Sequence, residues 1–210
     1  MRPILIVGAG GFAKEIIWLA HDCNRKILGV LDDNEAQHGS KIQGVKVLGG
    51  IDLLSKFDAE IIVAIGNPRV RARVVNRIES LIEPNYATLI HPSVKYSNTV
   101  QFSEGCMICA GTILTTDVKV GRHVILNLNV TVGHEVDLGN FVTVAPMAAI
   151  SGNVFVNDIS EIGTGACIKQ GLIIEHGSML GMGGVLTKNI PANTVFAGNP
   201  AKKLKELPEV

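Results

Sequence analysis

"VTVGHEVDLG", Val130 to Gly139, decides how this chain is read. Val130, Val132, Val136 and Leu138 recur on a regular beat, with His134 and Glu135 side by side between them. Stepping by six from Ile108 meets Leu114, Val120, Leu126, Val132, Leu138, Val144, Ile150, Val156, Ile162, Ile168, Ile174, Leu180 and Leu186, an unbroken aliphatic column. A second column four residues on, from Thr112 through Val118, Val124 and Val130 to Ser178, is mostly small or β-branched. The position after each first-column residue is often compact (Gly121, Gly133, Gly139, Ala145, Ser151, Gly163, Gly181), which predicts tight corners there. A period of six excludes an amphipathic helix, whose period is about 3.6. Each hexad supplies one short strand and one turn, and three hexads close one coil of a triangular prism with aliphatic ladders inside. The beat runs from about His91 to Val195, roughly five to six coils. Each coil leaves apolar faces that only its neighbours cover, so stability is shared along the stack.

The 210 residues carry no net charge; 47% are hydrophobic, 18% charged and 4% aromatic, and 23 are glycine. This favours repetitive packing of small and branched side chains over one large irregular core. A neutral chain argues against a nucleic-acid partner, which draws on a basic face. No apolar run approaches the roughly 20 residues of a membrane span. The opening "MRPILIVGAGG" superficially resembles a secretion leader, but Gly8 interrupts its apolar run. It reads as a first strand, and the protein as cytoplasmic. Cys106 and Cys109 form a CxxC with no second pair and no histidines at finger spacing. They, Cys23 and Cys167 read as ordinary buried or half-buried residues, and no metal is expected.

Residues 1–88 follow another pattern. "PILIV" reads as a buried strand, "GAGGFAKEIIWLAHDC" as a glycine loop entering a helix, and "KILGVLDDN" as a second strand ending in acids. "AEIIVAIGN" is a third strand and "PRVRARVVNRIE" a second helix. That alternation predicts a small Rossmann-like α/β domain, residues 1–88, ahead of a β-helix domain, residues 89–210. Gly8-x-Gly10-x-x-Ala13 fits the dinucleotide fingerprint with alanine in the third slot, and Asp32 and Asp33 stand where a ribose-binding acid would. Backbone N–H groups at a helix start suit a phosphate, so a nucleotide is expected. NAD is disfavoured, because a full dinucleotide unit needs more strands than this segment holds. The bland alternative is that the glycines only make a tight turn. "IGNPRVR" offers a second loop at the same sheet edge, with Gly66, Asn67 and either Arg69 or Arg71 reaching a phosphate, unless the arginines are solvated helix charges.

"VGAGGFAKE", "GVLDDN", "AIGNPRVR", "LIHPSV", "VGHEVDLGNFVTVAPMAAISGNV" and "AGNPAKKLK" together resemble the sialic-acid O-acetyltransferase-like sugar acetyltransferases. Within that family the chain looks most like the bacterial nucleotide-sugar 4-amino N-acetyltransferases of the bacillosamine, perosamine and viosamine type, over nearly its whole length. The resemblance implies a left-handed parallel β-helix and a homotrimer with acetyl-CoA between adjacent β-helices. It implies a nucleotide sugar held by the N-terminal domain at Gly8, Gly10, Gly11 and Phe12. His134 would be the general base, oriented by Glu135; a backbone N–H near Gly152 would face the thioester carbonyl, and Asn127 would lie beside the site. Two positions depart from the pattern. Many relatives carry a sugar-contacting histidine where Phe12 stands, and Phe12 cannot donate that hydrogen bond. Some carry a second histidine, near the coenzyme, where Thr143 stands, and its loss argues against a role for that position here.

The residues fit the chemistry that the resemblance implies. His134 follows Gly133 at a corner, so its ring should project outward, into the cleft between two prisms if chains associate. An amine must lose a proton as it attacks a thioester, and imidazole titrates near neutral pH. Glu135 or Asp137 would hold the tautomer, and a backbone donor would meet the oxyanion. No cysteine is placed for a covalent acyl-enzyme. The bland alternative is a surface histidine on a repeat corner. His123 and His176 read as surface or interface residues, while His91 marks the junction of the domains. Coenzyme contacts are expected from Gly152, Thr164, Gly165 and Ala166, whose small size leaves backbone free. "AGNPAKK" leaves the beat across the prism end, where Pro200 and Ala201 would line an adenine slot and Lys202 or Lys203 would meet phosphate, unless the tail is only a basic cap. The reading is an acetyl-CoA-dependent N-acetyltransferase acting on the 4-amino group of a nucleotide-linked 4-amino-4,6-dideoxy sugar for surface polysaccharide. Its rivals are a sugar O-acetyltransferase using the same base, a dinucleotide-binding oxidoreductase or sensor, and a non-catalytic scaffold.

Overall fold

The computed structural model describes residues 2–209; Met1 and Val210, the outer ends of the two expected domains, lie outside the described residues. The first unit contains β1 (Ile4–Val7), α1 (Gly11–Asp22), β2 (Ile27–Leu31), β3 (Lys41–Ile42), β4 (Val45–Gly49), β5 (Glu60–Val63) and α2 (Pro68–Leu81). Sheet order is β3-β4-β2-β1-β5, parallel except for β3, which pairs antiparallel with β4. Alternation along β1 splits the core into two layers. Ile4 and Ile6 pack with Ala13, Ile16, Ile17 and Ala20 of α1, which recur at helical spacing. Leu5 and Val7 pack with Val75 and Ile78 of α2. The hairpin of β3 and β4 corrects the three-strand reading. Ile42 pairs with Val45 across a two-residue turn, Gln43 (φ +46) and Gly44 (φ +81), the left-handed pair such turns require.

The chain leaves the sheet at Tyr86, bridged to Ile61, and Leu89–Ile90 forms the first rung of the prism. Two-residue rungs then pair in parallel, 18 residues apart, on three faces. The first face runs from Leu89–Ile90 through Ile125–Leu126 to Met179–Leu180. The second runs from Lys95–Tyr96 through Thr131–Val132 to Val185–Leu186. The third runs from Gln101–Phe102 through Asp137–Leu138 to Ile173–Ile174. Every first-column residue from Ile108 to Leu186 is at most 2% exposed, so the ladders predicted from the beat fill the prism interior. Each such side chain stabilises the stack by about 1.5–3 kcal/mol relative to exposure. The second column is buried with it, apart from half-buried Leu172.

The corners differ from the sequence expectation. The left-handed residue falls three places after each column residue, at every sixth position from Gly105 to Gly183, and includes His123, Glu135, Phe141 and Met147. The compact residues directly after the column serve something else. A Cβ on Gly133 would stand 2.6 Å from the Gly152 nitrogen, and one on Gly121 2.6 Å from the Gly139 carbonyl carbon. Those glycines therefore permit close approach of successive coils, while the turns carry non-glycine residues in a region that ordinarily costs free energy.

The "AGNPAKK" segment leaves the beat. Thr194–Ala197 continues the first face beside Met179–Leu180, and Lys202–Glu206 returns antiparallel to it. Leu89, Met107 and Ile125, pointing outward from the first face, share one core cluster with β1 and α1. Cys106 and Cys109 are buried and Cys23 half-buried; Cys167 departs from that expectation and is exposed on the second face. Among the described residues no helix is long and apolar enough to cross a membrane.

Candidate active site

His134 and Glu135 occupy the corner between Thr131–Val132 and Asp137–Leu138. The coils on either side pin this turn: Glu135 N–H donates to Thr116 O (3.0 Å), and Asn153 N–H donates to His134 O (2.8 Å). Glu135 is the left-handed residue of the turn (φ +56), and its Oε2 lies 3.0 Å from His134 Nδ1. A carboxylate accepts, so this contact selects the neutral tautomer with the proton on Nδ1 and the lone pair on Nε2. Of the two acids weighed from sequence, Glu135 makes this contact. The imidazole side chain is 51% exposed. Beneath it lies bare backbone, for a methyl group on Gly152 would overlap Nε2 and Cε1. Gly152 N–H donates to no acceptor among the described residues.

The glycine loop opens at the start of α1. Gly8 (φ +103) ends β1, Gly10 caps α1, and Gly11 is the first helical residue. A Cβ on Gly10 or Gly11 would meet nothing within 4 Å, so the space ahead of the helix is open. Asp32 shapes this loop: Oδ2 accepts from Ala9 N–H (2.6 Å) and Oδ1 from Asn34 N–H (2.8 Å). Asp33 accepts from Ile51 N–H (3.2 Å) and from Arg77 Nη1 (2.5 Å). Both acids expected on a ribose are thus engaged with the protein. Phe12 is half-buried against the core that α1 shares with the prism.

At the second loop Asn67 caps α2, its Oδ1 accepting from Val70 N–H (3.0 Å). The two arginines correct the phosphate expectation. Arg69 donates to Pro208 O, Gly177 O and Asn193 Oδ1 at 2.8, 2.7 and 3.0 Å. Arg71 is fully buried and donates to Ile65 O, Gly66 O, His123 O, Phe141 O and Thr143 Oγ1 at 2.6–3.0 Å. Burial pushes Arg71 down to about 9, which leaves it charged at neutral pH. Both are struts from α2 to the prism. A signal for Arg71 was present, since it falls on the apolar stripe of α2 with Ala72, Val75 and Ile78.

His123 also corrects its reading as a surface or interface residue. It is fully buried, stacked on Phe141 (centroids 5.2 Å apart) and edge-on to Tyr86 (4.3 Å), with neither ring nitrogen hydrogen-bonded. Desolvation, then the charges of Arg122 and Arg71, holds it down to about 3. His176 is half-buried. His91 links the first rung to α1 through Asp22 (3.2 Å).

Asn127 sits on the corner from first to second face, where its Oδ1 accepts from Leu128 N–H (2.7 Å). That is a different corner from His134, so one chain does not bring them together. Ala166 corrects its expectation as free backbone: it is fully buried, donates to Gly163 O (3.1 Å) and accepts from Ala149 N–H (2.8 Å). Gly165 N–H donates to Pro146 O (2.9 Å), and Thr164 O accepts from Gly183 N–H (2.8 Å). Thr164 N–H and Gly165 O remain, both on exposed residues. Ala201 turns into the prism core and donates to Val185 O (2.8 Å), whereas Pro200 and Lys202 are exposed. No group of three or more His, Cys, Asp or Glu among the described residues is placed to hold a metal.

Residues 3–78 match the family model described as the PglD N-terminal domain. The chain is 35% identical over 217 residues to the GDP-perosamine N-acetyltransferase of Escherichia coli O157:H7, spanning 97% of this chain and 96% of that protein. A perosamine N-acetyltransferase from Caulobacter crescentus, solved as a histidine-to-asparagine variant in complex with CoA and GDP-perosamine, has a TM-score of 0.91 at 27% identity, over 98% of each chain. The acetyltransferase domain of PglB from Neisseria gonorrhoeae, in complex with acetyl coenzyme A, has a TM-score of 0.88 at 31% identity, over 97% of this chain and 99% of that one.

Proposed function

The chain belongs to the sugar N-acetyltransferases of the hexapeptide-repeat family, which use acetyl-CoA, and from that premise we propose that it acetylates the 4-amino group of a nucleotide-linked 4-amino-4,6-dideoxy sugar. GDP-perosamine is the first substrate to try, because relatives covering almost the whole chain are named for it. One observation carries the reading: the His134 imidazole is oriented by Glu135 (3.0 Å) over the bare backbone of Gly152. Nε2 takes the proton as the amine nitrogen attacks the thioester carbonyl carbon. The unpartnered Gly152 N–H suits the oxyanion of the tetrahedral intermediate. Its collapse breaks the carbon–sulfur bond, and the imidazolium returns the proton to the departing CoA thiolate. Glu135 stabilises the imidazolium in between.

The nucleotide falls to residues 1–88. The parallel strand order β4-β2-β1-β5 is that of a mononucleotide-binding half, and the open space before Gly10 and Gly11 suits a diphosphate at a helix start. The coenzyme falls to residues 89–210, at Thr164 N–H, Gly165 O and Lys202. The assembly is a homotrimer, because a single chain leaves His134 half exposed and keeps Asn127 on another corner. The outward residues Ile113, Thr131, Ala149, Cys167 and Val185 of the second face, Ile113 being 45% exposed, supply a small apolar surface for a neighbour. A reaction drawing on acetyl-CoA and a nucleotide sugar fits the cytoplasm and surface-polysaccharide synthesis.

The test is thiol release from acetyl-CoA with a 4-amino nucleotide sugar and with its 4-hydroxy analogue. Turnover of the amine supports N-acetylation. Turnover of the hydroxyl compound alone would replace it with sugar O-acetylation.

A further inference from the structure

We infer that Thr143 is a positioning residue for the acceptor, holding the Gly66–Asn67 loop on the prism through a three-way contact with Arg71. The inference rests on the acetyl-transfer reading above. The Gly66 carbonyl accepts from Arg71 Nη1 of α2 (2.9 Å) and from Thr143 Oγ1 of the prism (2.8 Å). A Cβ on Gly66 would meet nothing within 4 Å, which leaves room for a ligand. The hydroxyl of Thr143 has one proton, which goes to Gly66 O, and its lone pair accepts from Arg71 Nη2 (2.9 Å). The same guanidinium reaches Ile65 O (2.6 Å), His123 O (3.0 Å) and Phe141 O (2.8 Å). One buried cation therefore ties the loop after β5, the first turn of α2 and the prism corner into a single unit.

The consequence is geometric. Thr143 lies in register with Ile125 and Glu161 on the ladder of the first face, so its height along the prism is set by the same coils that set His134. A loop fastened to Thr143 has a fixed offset from the donor half of the chain. Many reacting pairs lose rate steeply when such an offset slackens. Valine at 143 keeps the branched shape and removes only the hydroxyl. Gly66 O then retains Arg71 Nη1, and Nη2 retains Phe141 O, so the fold survives with one tether gone.

The experiment compares the wild-type chain with Thr143→Val and Thr143→Ser by titration calorimetry against GDP-perosamine and, separately, CoA, with thermal unfolding in parallel. Thr143→Val should weaken nucleotide-sugar binding about tenfold, because the loosened loop must be ordered again by the ligand, and leave CoA binding within about twofold. Its Tm should fall by no more than a few degrees, the scale of one lost hydrogen bond, and Thr143→Ser should restore sugar affinity. A defect in CoA binding alone would overturn the inference, for Thr143 would then serve the coenzyme. Equal losses for both ligands with a lowered Tm, or no loss at all, would overturn it too. Wild-type chain that binds no 4-amino nucleotide sugar would remove the functional reading itself; wild-type binding with an unselective Thr143→Val would remove this inference alone.

Discussion

Replacing Gly152 with alanine tests the seat of the imidazole. The added methyl would stand 2.8 Å from His134 Cδ2, and closer to Nε2 and Cε1, where ordinary contact begins at 3.4 Å. Gly152 is not among the left-handed glycines, so its backbone accepts alanine without strain. The exposed ring yields before the paired backbone of the coils. It must move by about 1 Å, and a misplacement of that size costs about 10²-fold in rate. The move also breaks the 3.0 Å contact from Nδ1 to Glu135 that selects the tautomer. Alanine keeps its own N–H, so the proposed oxyanion donor is preserved and the loss reports on the ring. Thiol release at saturating substrates should give a kcat about 10²-fold below wild type, with Tm within about 2 °C. A kcat within about threefold of wild type would refute the placement of the ring as the reacting group.

Other consequences follow from the interior. His123 is neutral in the folded chain, held down to about 3, while the unfolded chain takes up that proton near 6.5. Its contribution is therefore complete above about pH 6.5 and drains away as pH falls toward 3, by at most about 1.4 kcal/mol per pH unit. His123→Phe, a ring that the same corner column already holds at Phe141 (φ +60), should flatten the difference between urea midpoints at pH 7 and pH 5. An undiminished difference would count against that assignment. Arg71→Met strands the carbonyls of Ile65, His123 and Phe141 and should lower unfolding free energy by about 3–5 kcal/mol, whereas exposed Arg77→Met should cost less than about 1 kcal/mol; equal urea midpoints would contradict the strut.

The prism was legible because its cause is local and periodic. A side chain that must enter the interior every six residues writes itself into the sequence, and Ile108 through Leu186 are buried to the last member. His134 and Glu135 were legible because adjacent residues of one turn need no distant partner to meet. What escaped the sequence depends on contacts between segments far apart in the chain. Arg71 meets Phe141 and Thr143 some 70 residues on, and nothing near it in sequence distinguishes a strut from a phosphate ligand except its place on the apolar stripe of α2. His123 becomes a core residue only because Tyr86 and Phe141 close over it. Asp32 could be singled out as a ribose acid, but its second task, holding the loop by accepting from the N–H groups of Ala9 and Asn34, is set by contacts the sequence does not display. The turn glycines were misread because compactness has two causes, a left-handed φ and a neighbouring coil, and only coordinates separate them.

The most direct measurement is kcat for acetyl transfer to GDP-perosamine by His134→Asn against the wild-type chain, both at saturating acetyl-CoA. Removing the proposed general base while keeping the corner shape should lower kcat by about 10²–10⁴-fold, with the acceptor KM little changed. A variant turning over within about threefold of wild type would mean that the proton leaves the amine by another route and that His134 is only a surface residue of the repeat.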